Sequence, residues 1–273
     1  MAPEPAGFLR GVQGPGDPDP GRLVPATHFV ILTHPRSGSN LLVHALRQHP
    51  GTRMYGELFQ EEIEVRSTAF RSQREMYDAG SDGAAFLAER IFVEDDDDPE
   101  LLAVGFKLFR TQAREPEAQS AWDYLIDRKD LHVIHLNRDS GLDAFVSYCE
   151  AEISGRWLAE PGEPIEASPP IRIDPERCLE FLDCNLSHRD WVRQAFHAHP
   201  LLELSYERHL AADFGGALRD VQAFLGLPAV PVPPPLRKQA VRPLAERVAN
   251  YAEIIALLRH TVHAAGGSGS AGD

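Results

Sequence analysis

The sequence predicts an α/β protein, a parallel sheet flanked by helices on both faces. Three observations lead there. Short apolar runs alternate with amphipathic stretches through most of the 273 residues, the pattern of strand–helix–strand units that bury a sheet on both sides. A chain of this length buries a sizeable core unaided. Its three cysteines, Cys149, Cys178 and Cys184, are odd in number. No disulfide framework organises such a chain, and a reducing, cytoplasmic setting is expected.

Residues 1–26, rich in Pro, Gly and Asp, read as a disordered or loosely packed leader without a basic start or an apolar core of a signal peptide. The domain is expected over 27–262. His28 to Thr33 is a buried-strand pattern, and Asn40 to Gln48 has helical spacing at Leu41, Leu42, Ala45 and Leu46 before His49-Pro50-Gly51 stops it. Glu94 to Asp98, five acids before Pro99, read as a solvated loop. Leu102 to Phe109 and His132 to Leu136 are further strands, and the stretch after them sets Leu142, Phe145, Val146 and Cys149 on one helix face. Glu160 to Pro175, with five prolines, reads as a covering loop. Leu201 to Tyr206 is a fourth strand, and Phe214 to Leu225 a helix closed by Gly226. Residues 263–273, ending in Gly, Ser and Ala, form a flexible tail.

The net charge of −14 argues against nucleic acid and anionic membranes, which need a basic face. No apolar run reaches the roughly 18 residues of a membrane span. A small anionic ligand remains compatible, provided Arg, Lys and backbone N–H groups cluster locally.

Such a cluster is legible at His34-Pro35-Arg36-Ser37-Gly38-Ser39-Asn40-Leu41-Leu42, between the first strand and the first helix. Helix N-terminal N–H groups and the helix dipole favour an anion there. Gly38 permits close backbone approach, Ser37, Ser39 and Asn40 supply side-chain donors and a helix cap, and Arg36 offers a planar charged fork. The loop lacks the first Gly and the Lys of the Gly-x-x-x-x-Gly-Lys-Ser/Thr motif. It reads as a phosphate loop that is not built for triphosphate hydrolysis; an ordinary capped helix start is the alternative.

Together with three segments further along the chain, the loop resembles the sulfotransferases dependent on 3′-phosphoadenosine 5′-phosphosulfate (PAPS), in particular bacterial members akin to the protein-tyrosine, carbohydrate and trehalose types. Four elements occur in the family's order over residues 28–255. The first is the Pro35-Arg36-Ser37-Gly38-Ser39 loop. The second is the strand ending in Asn137-Arg138, with Ser147 nine residues on. The third is Leu204-Ser205-Tyr206-Glu207 ahead of Phe224-Leu225-Gly226-Leu227-Pro228. The fourth is Arg237-Lys238-Gln239 with Asn250-Tyr251. Asn40 stands where Thr is commoner, and Arg36 where cytosolic members often carry Lys.

The resemblance implies a P-loop-like sulfotransferase fold, with PAPS as co-substrate, 3′,5′-diphosphoadenosine (PAP) as product, and no metal. It implies that Arg36, Ser37, Gly38, Ser39, Asn40 and Leu41 grip the 5′-phosphosulfate and that Arg138 and Ser147 grip the 3′-phosphate. It implies as well that Tyr206 lies near the nucleotide and that Arg237, Lys238 and Gln239 close over it. Arg36 is also a candidate catalytic cation.

In-line sulfonyl transfer needs charge stabilisation at the leaving oxygen and a base for the acceptor hydroxyl. Glu57, in Met54-Tyr55-Gly56-Glu57-Leu58-Phe59, is the candidate base, its apolar neighbours expected to raise its basicity; Glu61 and Glu62 are rivals. Lys107, ionisable within Phe106-Lys107-Leu108-Phe109, is the candidate for the transferring group, with snorkelling to water as the alternative. The 12 histidines show no metal-ligand spacing. Trp157 and the proline-rich loop are expected to shape the acceptor pocket. The expected acceptor is a hydroxyl on a neutral small molecule, sugar or glycolipid. A non-catalytic PAP-binding module and, less favoured, a P-loop-type kinase are the alternatives.

Overall fold

Five parallel strands run in the order β2-β3-β1-β4-β5, in a computed structural model that describes residues 25–59, 82–93, 98, 100–159, 162, 169–236 and 242–266. They are β1 (Thr27–Thr33), β2 (Thr52–Glu57), β3 (Ala103–Phe109), β4 (His132–Asn137) and β5 (Leu201–Ser205). The helices are α1 (Ser39–Leu46), α2 (Gly83–Phe86), α3 (Pro116–Asp127), α4 (Gly141–Ser154), α5 (Pro175–Ala195), α6 (Phe214–Phe224), α7 (Leu244–Arg247) and α8 (Tyr251–Gly266). Single π-helical turns, Leu87–Ile91 and Tyr206–Leu210, follow α2 and β5.

β1 lies at the centre because both its faces are covered. Phe29 and Ile31 pack with α1 and α6, while Val30 and Leu32 pack with α2, α3 and the end of α5. All four side chains are fully buried, each worth roughly 1.5–3 kcal/mol of transfer free energy. β3 pairs with β1 from Thr27–Ala103 to Thr33–Phe109, and β4 pairs from Phe29–His132 to Thr33–Leu136. Gly105 fits under the Phe29 ring, where an added Cβ would lie 2.6 Å from ring carbons.

Four strands match the sequence expectation to within a residue or so. The edge strand β2 does not, because its six residues include Arg53 and Gly56 and carry little strand pattern. The first helix starts at Ser39 and stops at Leu46, short of the expected Gln48. α3 and α5 were not anticipated. α5 buries only Cys178, His188 and Val192 among 21 residues, so it has almost no apolar stripe to read. It is set instead by Asp174, whose side chain caps Arg177 N–H, with Pro175 in its first turn.

The connection after β1 leads to β2 at one edge, while that after β4 leads to β5 at the other. Neighbouring strands whose connections diverge open a crevice at their carboxyl ends. The β1–β4 crevice is where the loop of Arg36 and the strand end of Arg138 meet.

The expected leader up to residue 24, the acidic run apart from Asp98, residues 160, 161 and 163–168 of the proline-rich loop and residues 267–273 lie outside the described residues. Asp98 pairs with Arg53 at 3.3 Å, and α8 carries the backbone to Gly266.

Candidate active site

The loop after β1 is tied from below. Thr33 Oγ1 donates to Leu136 O at 2.7 Å, spending its only proton, so the 2.5 Å contact with Ser37 Oγ has Ser37 as donor. Ser37 is fully buried and anchors the loop. Arg36 (φ 63) and Gly38 (φ 85) both take left-handed backbone, an alternation that makes a concave run of N–H groups suited to an anion. Gly38 precedes α1, and no side chain caps the helix. This corrects the expected serine or asparagine cap: Ser37 is spent on Thr33 and Asn40 on Lys107. The first turn of α1 therefore keeps backbone donors for a ligand. Leu41 N–H is not among them, since it donates to Gly38 O at 3.0 Å. The Tyr206 ring covers Gly38 so closely that a Cβ there would lie 2.5 Å from Cδ2.

Across the crevice, Arg138 leaves the end of β4 and donates from Nη1 to Arg36 O at 2.8 Å. Its guanidinium lies 5.0 Å from the Tyr206 ring centre and pairs with Asp143 through Nη2. Nε has Glu207 Oε1 at 3.4 Å but no hydrogen bond. Arg36 Nε donates to Ser147 Oγ at 3.0 Å and Nη1 to Trp157 O at 2.6 Å. Burial, with Arg138 nearby, brings Arg36 down to about 10, so it stays charged at neutral pH.

Arg247, which the sequence reading missed, is buried beside this group. It donates to Asp143 Oδ1 at 2.5 Å and to both oxygens of Glu150 at 3.0 and 2.6 Å. A cue to its acidic partners was present: Asp143, Ser147 and Glu150 stand at i, i+4 and i+7, one face of α4.

On the other side of the loop, strand alternation sends Phe106 and Leu108 to one face and Lys107 to the face where α1 begins. Lys107 is 1% exposed. It does not snorkel: Nζ meets Glu57 Oε1 at 2.6 Å and Asn40 Oδ1 at 2.5 Å, 5.1 Å from the Phe109 ring centre. Glu57 ends β2 in register with Lys107. Its other oxygen, Oε2, accepts from Gln112 Nε2 at 2.7 Å. The apolar setting expected for Glu57 is corrected here. Leu58 and Phe59 belong to the core under the sheet, and the carboxylate meets a cation and an amide. Gln112 carried no motif that would have singled it out.

Arg237, Lys238, Gln239, Glu61 and Glu62 lie outside the described residues. The Trp157 ring stands edge-on to Tyr148 at 5.6 Å. His34, His135 and His188 are buried, and burial holds them well below the usual range, at about 4, 4 and 3. Among the described residues, no three His, Cys, Asp or Glu side chains are placed to hold a metal, and no helix is long and apolar enough to cross a membrane.

No family model matches the chain. Among known proteins it is similar to Nodulation protein H of Rhizobium meliloti (strain 1021), 26% identical over 238 residues, which is 85% of this chain and 91% of the relative. Nodulation protein H of Rhizobium tropici is 28% identical over 232 residues, 83% and 87% of the two chains. Two solved structures are also similar. A sulfotransferase from Alicyclobacillus acidocaldarius shares 17% identity with a TM-score of 0.43, over 88% of this chain and 97% of its own. Mouse sulfotransferase SULT7A1 complexed with PAP shares 14% with a TM-score of 0.37, over 90% and 68%.

Proposed function

We propose, from a chain that fits the bacterial sulfotransferase family, that it moves the sulfonyl group of PAPS to a hydroxyl of a small-molecule, sugar or glycolipid acceptor. One observation carries the reading. The two motifs that the sequence keeps far apart meet at Arg36: Arg138 holds its carbonyl and its own side chain holds Ser147. Uncapped N–H groups of α1 lie beside them. That donor set suits a ligand with phosphate at both ends of a ribose.

The roles rest on the chemistry each group can supply. Arg36 and the N–H groups around Gly38 and Ser39 take the 5′-phosphosulfate. Arg138, whose Nε has no hydrogen bond, and Ser147 take the 3′-phosphate. Tyr206 packs beside the nucleotide, and the family resemblance gives Arg237, Lys238 and Gln239 the role of closing over it. Sulfonyl transfer makes the new bond to the acceptor oxygen as the bond to the bridging oxygen breaks, and the leaving PAP keeps that electron pair.

Glu57 takes the acceptor proton. A protonated Glu57 no longer holds Lys107 by charge, so the ammonium is released toward the negative charge growing at the leaving oxygen. The pair thus couples proton removal to leaving-group stabilisation. All three cysteines are free thiols, which supports a reducing, cytoplasmic setting.

The test is PAP release from PAPS against a panel of alcohols, phenols and neutral glycosides, beside ATP with Mg²⁺. The reading expects PAP release that depends on an acceptor. Phosphate transfer from ATP would favour a kinase, and PAP binding without turnover a silent binding module.

A further inference from the structure

We propose that Gln112 is a positioning residue that fixes the carboxylate plane of Glu57, an inference that rests on Glu57 being the base. Gln112 lies just past β3 in a tight turn, its N–H donating to Phe109 O at 2.9 Å. Its side chain is fastened at both ends. Phe109 N–H donates to Gln112 Oε1 at 3.0 Å. A backbone N–H can only donate, so the amide oxygen must face Phe109 and the NH₂ must face Glu57. The 2.7 Å contact from Nε2 to Glu57 Oε2 therefore has a fixed polarity. The turn is itself held, since Trp122 Nε1 of α3 donates to Gln112 O at 3.1 Å.

The last torsion of a glutamate is soft. Lys107 on Oε1 alone would leave the carboxylate free to rotate about that contact. With a second donor on Oε2, the plane is set by two bonds in different directions. Each oxygen keeps a further lone pair, and those lone pairs are now aimed. The hydrogen bonds of Gln112 run to Glu57, Phe109 and Trp122 and to none of the phosphate-loop residues, so its action on transfer runs through Glu57. Small misplacements of a reacting group are costly, on the order of a hundredfold for about 1 Å.

Three variants, Q112L, E57Q and the double variant, test this by PAP release from PAPS with the same hydroxyl panel and by calorimetry with PAP. Q112L should slow turnover roughly 10- to 100-fold and leave PAP affinity unchanged. The double variant should be no slower than E57Q, because a residue acting through Glu57 has nothing left to position. Rate losses that multiply would overturn the proposal. An acceptor-free arm uses ¹³C-glutamate NMR. The Glu57 carboxyl resonance, assigned as the one missing in E57Q, should move in Q112L; if it stays in place, there is no clamp. Q112M keeps the length without the amide and replaces Q112L should that variant fail to fold. E57Q at full rate would remove the base reading, while the NMR arm still decides the clamp.

Discussion

Lys107 Nζ lies 2.6 Å from Glu57 Oε1, across two strands that set these residues in register. Both side chains are largely withdrawn from water, at 1% and 11% exposure. Removing one partner of such a pair leaves the other charge uncompensated, typically about 3–5 kcal/mol of stability. Glu57 keeps some solvent contact, so Lys107→Ala should fall at the lower end of that range. Urea unfolding measures it, and a loss under about 1 kcal/mol, the scale of an exposed pair, would mean the pair is not the buried contact described. Because this variant loses stability together with the proposed catalytic cation, its turnover must be read against its folded fraction.

In the proposed function, cofactor choice rests on Arg138 and Ser147. PAP should bind more tightly than AMP, by at least tenfold, because a charge-assisted hydrogen bond contributes about 1.5–3 kcal/mol. The 3′-phosphate must compete with Asp143 for Arg138, which keeps the gain near the lower figure. Calorimetry showing equal affinity for the two nucleotides would remove the assignment.

Arg36→Ala should weaken PAPS binding and slow transfer. It deletes the fork that also holds Ser147 and the Trp157 carbonyl. Arg36→Lys should recover only part of both, since one ammonium cannot hold two partners in a plane. Normal turnover in the alanine variant would show that the phosphate cradle lies elsewhere.

Stability should decline as pH drops, and the decline should begin above the range where carboxylates titrate. His34, His135 and His188 sit near 4, 4 and 3 in the folded protein against an ordinary 6.5, burial being the main cause. Between about 4 and 6.5 the unfolded chain therefore binds more protons. The stabilisation is complete above that window and is lost as pH drops through it. Glu203, which accepts from His135, opposes the trend, whereas Arg189, Arg193, Arg110 and Arg138 reinforce it. Urea midpoints at pH 7, 6, 5 and 4 should decline, and His188→Phe, whose ring nitrogens have no hydrogen-bond partner, should flatten the decline. A midpoint constant from pH 7 to 5 would contradict the burial argument.

The central strands were legible because β1 and β3 carry apolar runs and β4 sets Val133, Ile134 and Leu136 in a short strand pattern, and the candidate anion loop because Gly38 and Arg36 stand where a strand hands over to a helix. Arg138 and Ser147 were legible only through the resemblance, since no local pattern joins a strand end to a residue two helical turns on. β2 and α5 were illegible for opposite reasons. One is a short edge carrying Arg53 and Gly56, and the other is a long helix with few buried residues. Gln112 and Arg247 act through partners far away in sequence. Periodicity cannot find such contacts, because they exist only once the sheet has brought β2 beside β3 and α4 beside α7.

Glu57→Gln is the measurement closest to the centre of this account. Glutamine keeps the size and can still accept from Lys107, yet it cannot take a proton. With Glu57 as the base, the transfer rate should fall by roughly 10²–10⁴-fold with PAP affinity nearly unchanged. A fall in both would point to a folding role, and an acceptor with a more acidic hydroxyl should partly restore the rate if only the base is missing. Full activity of Glu57→Gln on the true acceptor, with PAP bound as before, would contradict the account and move proton removal to another group.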